Sequence, residues 1–401
     1  MSTTEQGLGL ADQATDVESI LAWFRRMRDD NPVSHDEKAG VWHVFRHADA
    51  SQVLDDPATF SSDFSGVGPS DKDVDIFRRG NVLRKDPPQH RKLRTLVSRA
   101  FTPRAVAQLA PRITAVTNDL LDAMQGSERI ELVSDLAYPL PVIVITDLLG
   151  IPAEDRPTFR RWAEALVSPE SQTGLIPNKQ RVQTMAVVMR EMNPYCLGHI
   201  RSRRAEPKDD LISDLVTAEV NGQGLEDEEI VGFVSLLLLA GHITTTVLIG
   251  NSVLSLTEHP DALAALRADP SGLPTAIEEV LRYRTPLAPI TRRTTREVQI
   301  GEHTVPAGQM IVTWLASANR DERQFPDPDR FDIGRQPNAH LSFGHGIHFC
   351  VGAPLARLEA QIALELMFNR WTELSAGAGI EFHDPRGING VKRLPLDLRW
   401  A

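Results

Sequence analysis

Cysteine is nearly missing from this 401-residue chain, which has only Cys196 and Cys350, far apart in the sequence. Two thiols cannot hold an iron–sulfur cluster of the ordinary four-cysteine kind. No Gly-x-Gly-x-x-Gly fingerprint follows a strand-like run either, so no dinucleotide or flavin site is expected. The chain begins "MSTTEQGLGLADQATD", with no basic segment leading into an apolar one, which argues against a signal peptide. The longest apolar run, "VGFVSLLLLAG", is short for a membrane span and is followed at once by His and Thr residues. These absences point to a reducing cytoplasm and no membrane partner, where a disulfide is not expected and Cys350 can act as ligand or nucleophile. Positive excess is lacking too: the net charge of -11 argues against a nucleic-acid partner. There is no internal repeat and no low-complexity linker, so residues 1–401 are expected to form a single domain.

What is present is an ordinary globular composition, 41% hydrophobic and 24% charged. Apolar residues recur at helical spacing in "ESILAWFRRMRDD", "HRKLRTLVSRAF", "PRAVAQLAPRITAVTNDLLDAM" and "RPTFRRWAEALV". The clearest helix runs from about Asp227 to His259, with acidic residues at its start and Pro260 at its end. Strands are few: "GVWHVF", and "VQIGEHTVPAGQMIVTWL", which alternates and turns like a hairpin. The expected fold is mainly α with small β-sheets. Residues 61–85 and 168–180 read as long loops.

The segment that carries chemistry is "LSFGHGIHFCVG", residues 341–352. Residue types alone leave two readings open, a small buried Cys or a metal ligand. A His-x-x-His-x-Cys run suggests zinc, but nothing nearby supplies the paired ligands that zinc takes. Gly344, Gly346 and Gly352 allow a tight turn and close approach of backbone to a flat ligand, with Phe343 against its face. The helix after Cys350, "GAPLARLEAQIALELMF", would favour a thiolate at its start. A thiolate donating to an iron porphyrin fits all of these features.

The segment resembles the haem-binding signature of the cytochrome P-450 family, the haem-thiolate monooxygenases. The resemblance extends to "EEVLRY", with Glu279 and Arg282, and to "FPDPDRFD", with Arg330 as third member of a charged triad bracing the Cys loop. It implies haem b held between a long distal helix and a proximal Cys-ligand helix, with Cys350 as axial ligand. His90, Arg94, Arg292 and His348 would hold the propionates, and His345 is expected to be structural. Arg91, Lys92, Arg99 and Arg104 would form a positive patch for an acidic redox partner. Electrons would come from NAD(P)H only indirectly, through a ferredoxin reductase and a ferredoxin.

On the long helix, "LLLLAGHITTTVL" matches the family's Ala-Gly-x-acid-Thr at Ala240, Gly241 and Thr244, but Ile243 stands where the acid belongs. Oxygen activation needs proton delivery. The route must then use Thr244 with water, Thr245, His242 or a substrate hydroxyl. Ile243, Leu287 and Ile290 are candidate substrate contacts. Stretches such as "GVWHVFRHADASQVL" and "ATFSSD" resemble the macrolide-tailoring branch of the family. The implied activity is oxidation of a bulky apolar natural product such as a macrolide. Two alternatives stand beside it: oxidative coupling, desaturation or carbon–sulfur bond formation without oxygen insertion, and a haem-binding protein without turnover.

Overall fold

The computed structural model describes residues 16–98, 101–166, 179–220 and 222–401. They form a mainly helical fold with small sheets, grouped in two compact units. One comprises residues up to Ser62 together with Thr117–Ala137 and Thr244–Ala401; the other comprises Asp63–Val116 and Tyr138–Ile243.

The first unit is built on a five-stranded sheet whose strands come from opposite ends of the sequence. Val33–Asp36 pairs antiparallel with Val41–Val44, which lies parallel to Met310–Trp314, followed by Pro289–Thr294 and Phe60–Ser61. Alternation buries Val33, Val44, Phe60 and Ile311 on one face. Trp314 packs edge-on to Trp23 and donates its indole N–H to His43 Nδ1 at 3.0 Å. The segment expected as one hairpin is divided. Val298–Ile300 and His303–Val305 pair with each other, while the strand after Pro306 and Gly308 joins the larger sheet.

The helix expected from Asp227 runs over Asp227–Glu258, and Pro260 opens the next helix. It is long and apolar enough to cross a membrane, contrary to the run-based expectation, and 72% of its most apolar stretch is buried inside the protein. The run was underestimated because Gly241 and His242 interrupt it in sequence while the helix continues through Val247, Leu248 and Ile249, all buried.

Residues 61–85 are not one loop. Asp71 caps a helix over Lys72–Gly80 that buries Val74 and Phe77. Dense charge hid this short amphipathic pattern. The loop expected over 168–180 lies outside the described residues, except Lys179 and Gln180, which belong to the helix Lys179–Ala205. Within the second unit the helix Lys72–Gly80 meets the long helix backbone to backbone. A Cβ on Gly232 would lie 2.6 Å from Gly80 N and 2.7 Å from Phe77 O. Across from it, Asn193 Nδ2 donates to Asp73 O at 2.9 Å, tying the same short helix to Lys179–Ala205. Gly232→Ala is therefore expected to cost about 1–3 kcal/mol, the usual price of overpacking a rigid contact. A urea unfolding midpoint unchanged from wild type would contradict this.

Candidate functional site

In the first unit the Cys350 loop is fixed mainly by backbone bonds. Gly344 N–H donates to Leu341 O at 2.8 Å, and Cys350 N–H donates to Phe343 O at 2.8 Å. Gly344 and Gly346 take φ of 74° and 65°, values that L side chains rarely adopt. A Cβ on Gly346 would also lie 2.9 Å from Leu54 O, so the loop sits directly on the helix His47–Asp55. After Cys350 the chain enters the helix Ala353–Arg370, with Gly352 at its N-cap. The half-buried Cys350 sulfur lies close to that N-terminus, where unpaired backbone N–H groups favour an anion.

The loop is braced by the helix Leu273–Tyr283. Glu279 and Arg282 are wholly buried and joined at 2.8 Å through both guanidinium arms. Arg282 Nη1 also donates to the carbonyls of Asn319 at 3.0 Å and Pro328 at 2.8 Å. The third cation is Arg335, not Arg330. Arg335 Nε reaches Glu279 Oε1 at 3.2 Å with its side chain 7% exposed, whereas the Arg330 side chain is 67% exposed and pairs with Asp332. Arg330 contributes only its carbonyl, which accepts from Arg282 at 3.2 Å. The cause is a turn: Arg335 N–H bonds Asp332 O and swings the later arginine back to the carboxylate. Asp332 N and Asn338 Nδ2 complete the donors to Glu279 at 2.9 and 3.3 Å.

The other positions in this unit divide by environment. His348 is buried on the short Gly346–His348 turn, and Arg292 is buried on the strand Pro289–Thr294. His345 is exposed and lies 3.6 Å from Asp55, a surface contact of little energetic worth. Leu287 is 39% exposed, next to its bridge to Ile388. Ile290 packs against the core cluster of Ala50, Leu54, Leu315, Ala318 and Leu341.

In the second unit His90 and Arg94 share the helix Gln89–Val97. Burial and then the Arg94 charge hold His90 below its ordinary pKa. Of the positive patch, Arg91 and Arg104 are exposed, Lys92 Nζ binds Glu229 at 2.9 Å, and Arg99 lies outside the described residues. Along the long helix Ala240 and Thr244 are exposed, one turn apart and so on one face, while their neighbours are mostly buried. Gly241 points elsewhere, since its absent Cβ would meet Ile145 at 3.4 Å. Ile243 is half-buried.

His242 is a poor proton carrier on this geometry. Burial pushes its pKa down to about 4. Its Nδ1 lies 2.6 Å from Leu238 O, which assigns the proton to Nδ1 because a carbonyl only accepts. Its ring stands edge-on to Tyr138 at 5.7 Å.

Among the described residues no three His, Cys, Asp or Glu gather to hold a metal ion. Zinc would need three or four protein ligands, whereas a porphyrin supplies four nitrogens and asks the protein for an axial donor. A lone thiol on a glycine-turned loop at a helix start suits the second case.

Sequence reasoning missed Arg335 and a second group of charges around Phe343. The motif drew attention to the nearer arginine, and no motif marks the others.

A family model described as Cytochrome P450 matches residues 35–270 and 273–382. The chain is 45% identical over 382 residues to cyclomarin C epoxidase CymV of Salinispora arenicola, covering 95% of this chain and 96% of that protein. It is 44% identical over 404 residues to erythromycin C-12 hydroxylase of Saccharopolyspora erythraea, covering 99% and 98%. The solved structure of a mutant of P450 EryK in complex with erythromycin B superposes with a TM-score of 0.87 at 43% identity, covering 97% of each chain.

Proposed function

The chain belongs to the cytochrome P450 family, and from that premise we propose that it is a monooxygenase oxidising a bulky natural product such as a macrolide or related macrocycle. The observation that carries this reading is the Cys350 loop: one thiol, turned out by two left-handed glycines at a helix N-terminus and braced by the buried Glu279–Arg282 pair. Haem, held by Cys350, would supply the redox chemistry of oxygen activation. His90, Arg94, Arg292 and His348 are assigned to its propionates, as buried anions need cationic or donor partners. Phe343, Gly344 and Gly352 are assigned to packing against its face. Ferredoxin and a ferredoxin reductase would carry electrons from NAD(P)H, in the cytoplasm. The names of the two relatives, an epoxidase and a hydroxylase, support oxygen insertion on a large product. Ile243, Leu287 and Ile290 are assigned to the substrate.

A haem-absorbance screen with macrocyclic candidates, followed by mass analysis of products, tests the proposal. A gain of one oxygen supports it. A loss of two hydrogens favours coupling or desaturation, a reading kept because Ile243 occupies the acid position.

Proton delivery is assigned to Thr244 with water, since it is exposed on the Ala240 face while His242 donates into its own helix. A positioned acid contributes about 10²-fold or more to proton transfer. Ile243→Glu is therefore expected to change the product formed per NADH consumed. Unchanged coupling would show that the absent acid is irrelevant and sink the idea of a rewired route.

A further inference from the structure

The helix Leu273–Tyr283 presents two adjacent carboxylates that do different work. Glu279 faces the buried arginines, while Glu278 turns to residues that flank the Cys loop. Arg357, in the helix after Cys350, clasps Glu278 with both arms, at 2.6 and 2.7 Å. His340, before the loop, lies 3.1 Å from the same carboxylate through Nε2, and its Nδ1 accepts from Ser342 N–H at 3.2 Å. That second bond fixes the tautomer, so Nε2 carries the proton it gives to Glu278. One carboxylate thus straps together positions on either side of Cys350.

Arg357 also lies over the Phe343 ring, its guanidinium carbon 4.5 Å from the centroid. A planar guanidinium clamped by a carboxylate is a rigid lid for an aromatic face. Phe343 is in turn the residue whose carbonyl accepts the Cys350 N–H. The side chains of Glu278 and Arg357 are only 29% and 35% exposed, so the pair is sheltered rather than freely solvated. Burial opposes the charge on Glu278, but Arg357 and His340 outweigh it and hold the carboxyl down at about 2.

We infer that Glu278, Arg357 and His340 are positioning residues that fix the Phe343 ring and its carbonyl, and through them set the electronic environment of the Cys350 sulfur. This rests on the reading of Cys350 as haem ligand. Nothing in the family signature requires it, since the strap uses side chains outside the Cys motif. The alternative is a plain charge effect of Arg357 and Glu278 on the iron, and the two differ in sign. Removing a cation and removing an anion should move a reduction potential in opposite directions. Releasing one ring from either end should move it in the same direction.

The test measures the ferric/ferrous potential of the holoenzyme in Arg357→Met, Glu278→Gln and Phe343→Leu, with Arg357→Lys as the variant that keeps charge but loses the fork. Positioning predicts that Arg357→Met and Glu278→Gln shift the reduction equilibrium in the same direction, by up to tenfold, or 59 mV for one electron. It also predicts that neither adds to Phe343→Leu in the double variant and that Arg357→Lys restores the potential only in part. Opposite shifts, additive shifts or no shift would overturn it. Should Arg357→Met fail to load haem, Glu278→Gln and Arg357→Lys decide the matter. The reduced carbon monoxide spectrum separates the two readings: a wild-type protein without the thiolate band refutes Cys350 as ligand, whereas variants that keep the band test the strap.

Discussion

Replacing Glu279 by Ala is expected to cost the folded protein about 3–5 kcal/mol, because it leaves a fully buried guanidinium without its counter-ion. The carboxylate accepts from Arg282 through two arms, from Arg335, from Asp332 N–H and from Asn338, so all of these donors lose their acceptor together. Domains are stable by only about 5–15 kcal/mol, and a loss of this size should appear as poor soluble yield and an early urea transition. Glu279→Gln keeps the shape but not the charge and should recover only part of the deficit. The two arginines provide the internal comparison. Arg335→Ala should be clearly destabilising, since its side chain is 7% exposed, while Arg330→Ala should stay within about 1 kcal/mol. Equal effects of the two substitutions would contradict the assignment of Arg335 to the triad.

Cys350→Ser is expected to abolish the thiolate band of the reduced carbon monoxide complex and bring oxygen-dependent turnover to background. Thiolate donation favours O–O cleavage, and a neutral hydroxyl cannot replace it. The fold should survive, because the loop is held by backbone bonds from Gly344 to Leu341 and from Cys350 to Phe343 that need no sulfur. A variant with unchanged circular dichroism but no thiolate band is the expected result. Retention of the band would mean that another residue ligates the iron, and the whole functional reading would fall.

The residues that sequence revealed best are those whose roles are local. The Gly-rich Cys turn, the i, i+3 pair of Glu279 and Arg282 and the long apolar helix each follow from spacing within one segment. What sequence hid depends on contacts between segments far apart. Arg335 replaces Arg330 because a turn at Asp332 redirects the chain, and no pattern of residue types reports that. Lys92 looked like part of a docking face until Glu229, on another helix, was found to hold it. The helix Lys72–Gly80 was masked by its charges, and its close approach to the backbone of Glu229, Gly232 and Phe233 explains why Gly80 must be small. His242 was a plausible proton carrier by residue type alone, and its bond to Leu238 O redirects it.

The five-stranded sheet has a bearing on the order in which the protein can be made. Its central strand Met310–Trp314 runs beside Val41–Val44, and Arg28 Nη1 donates to Ser317 Oγ across 289 positions of sequence. The second unit is complete in sequence at Ile243, whereas the first needs residues that follow Thr244. During synthesis the early hairpin of Val33–Asp36 and Val41–Val44 must therefore wait for its neighbour Met310–Trp314 until most of the chain has emerged, and such long-range pairing is intrinsically slow. The seat of Gly346 on Leu54 forms later still. On the proposed reading of Cys350 as haem ligand, haem capture would be among the last steps of maturation, and cofactor supply during expression should govern how much of the finished chain is usable.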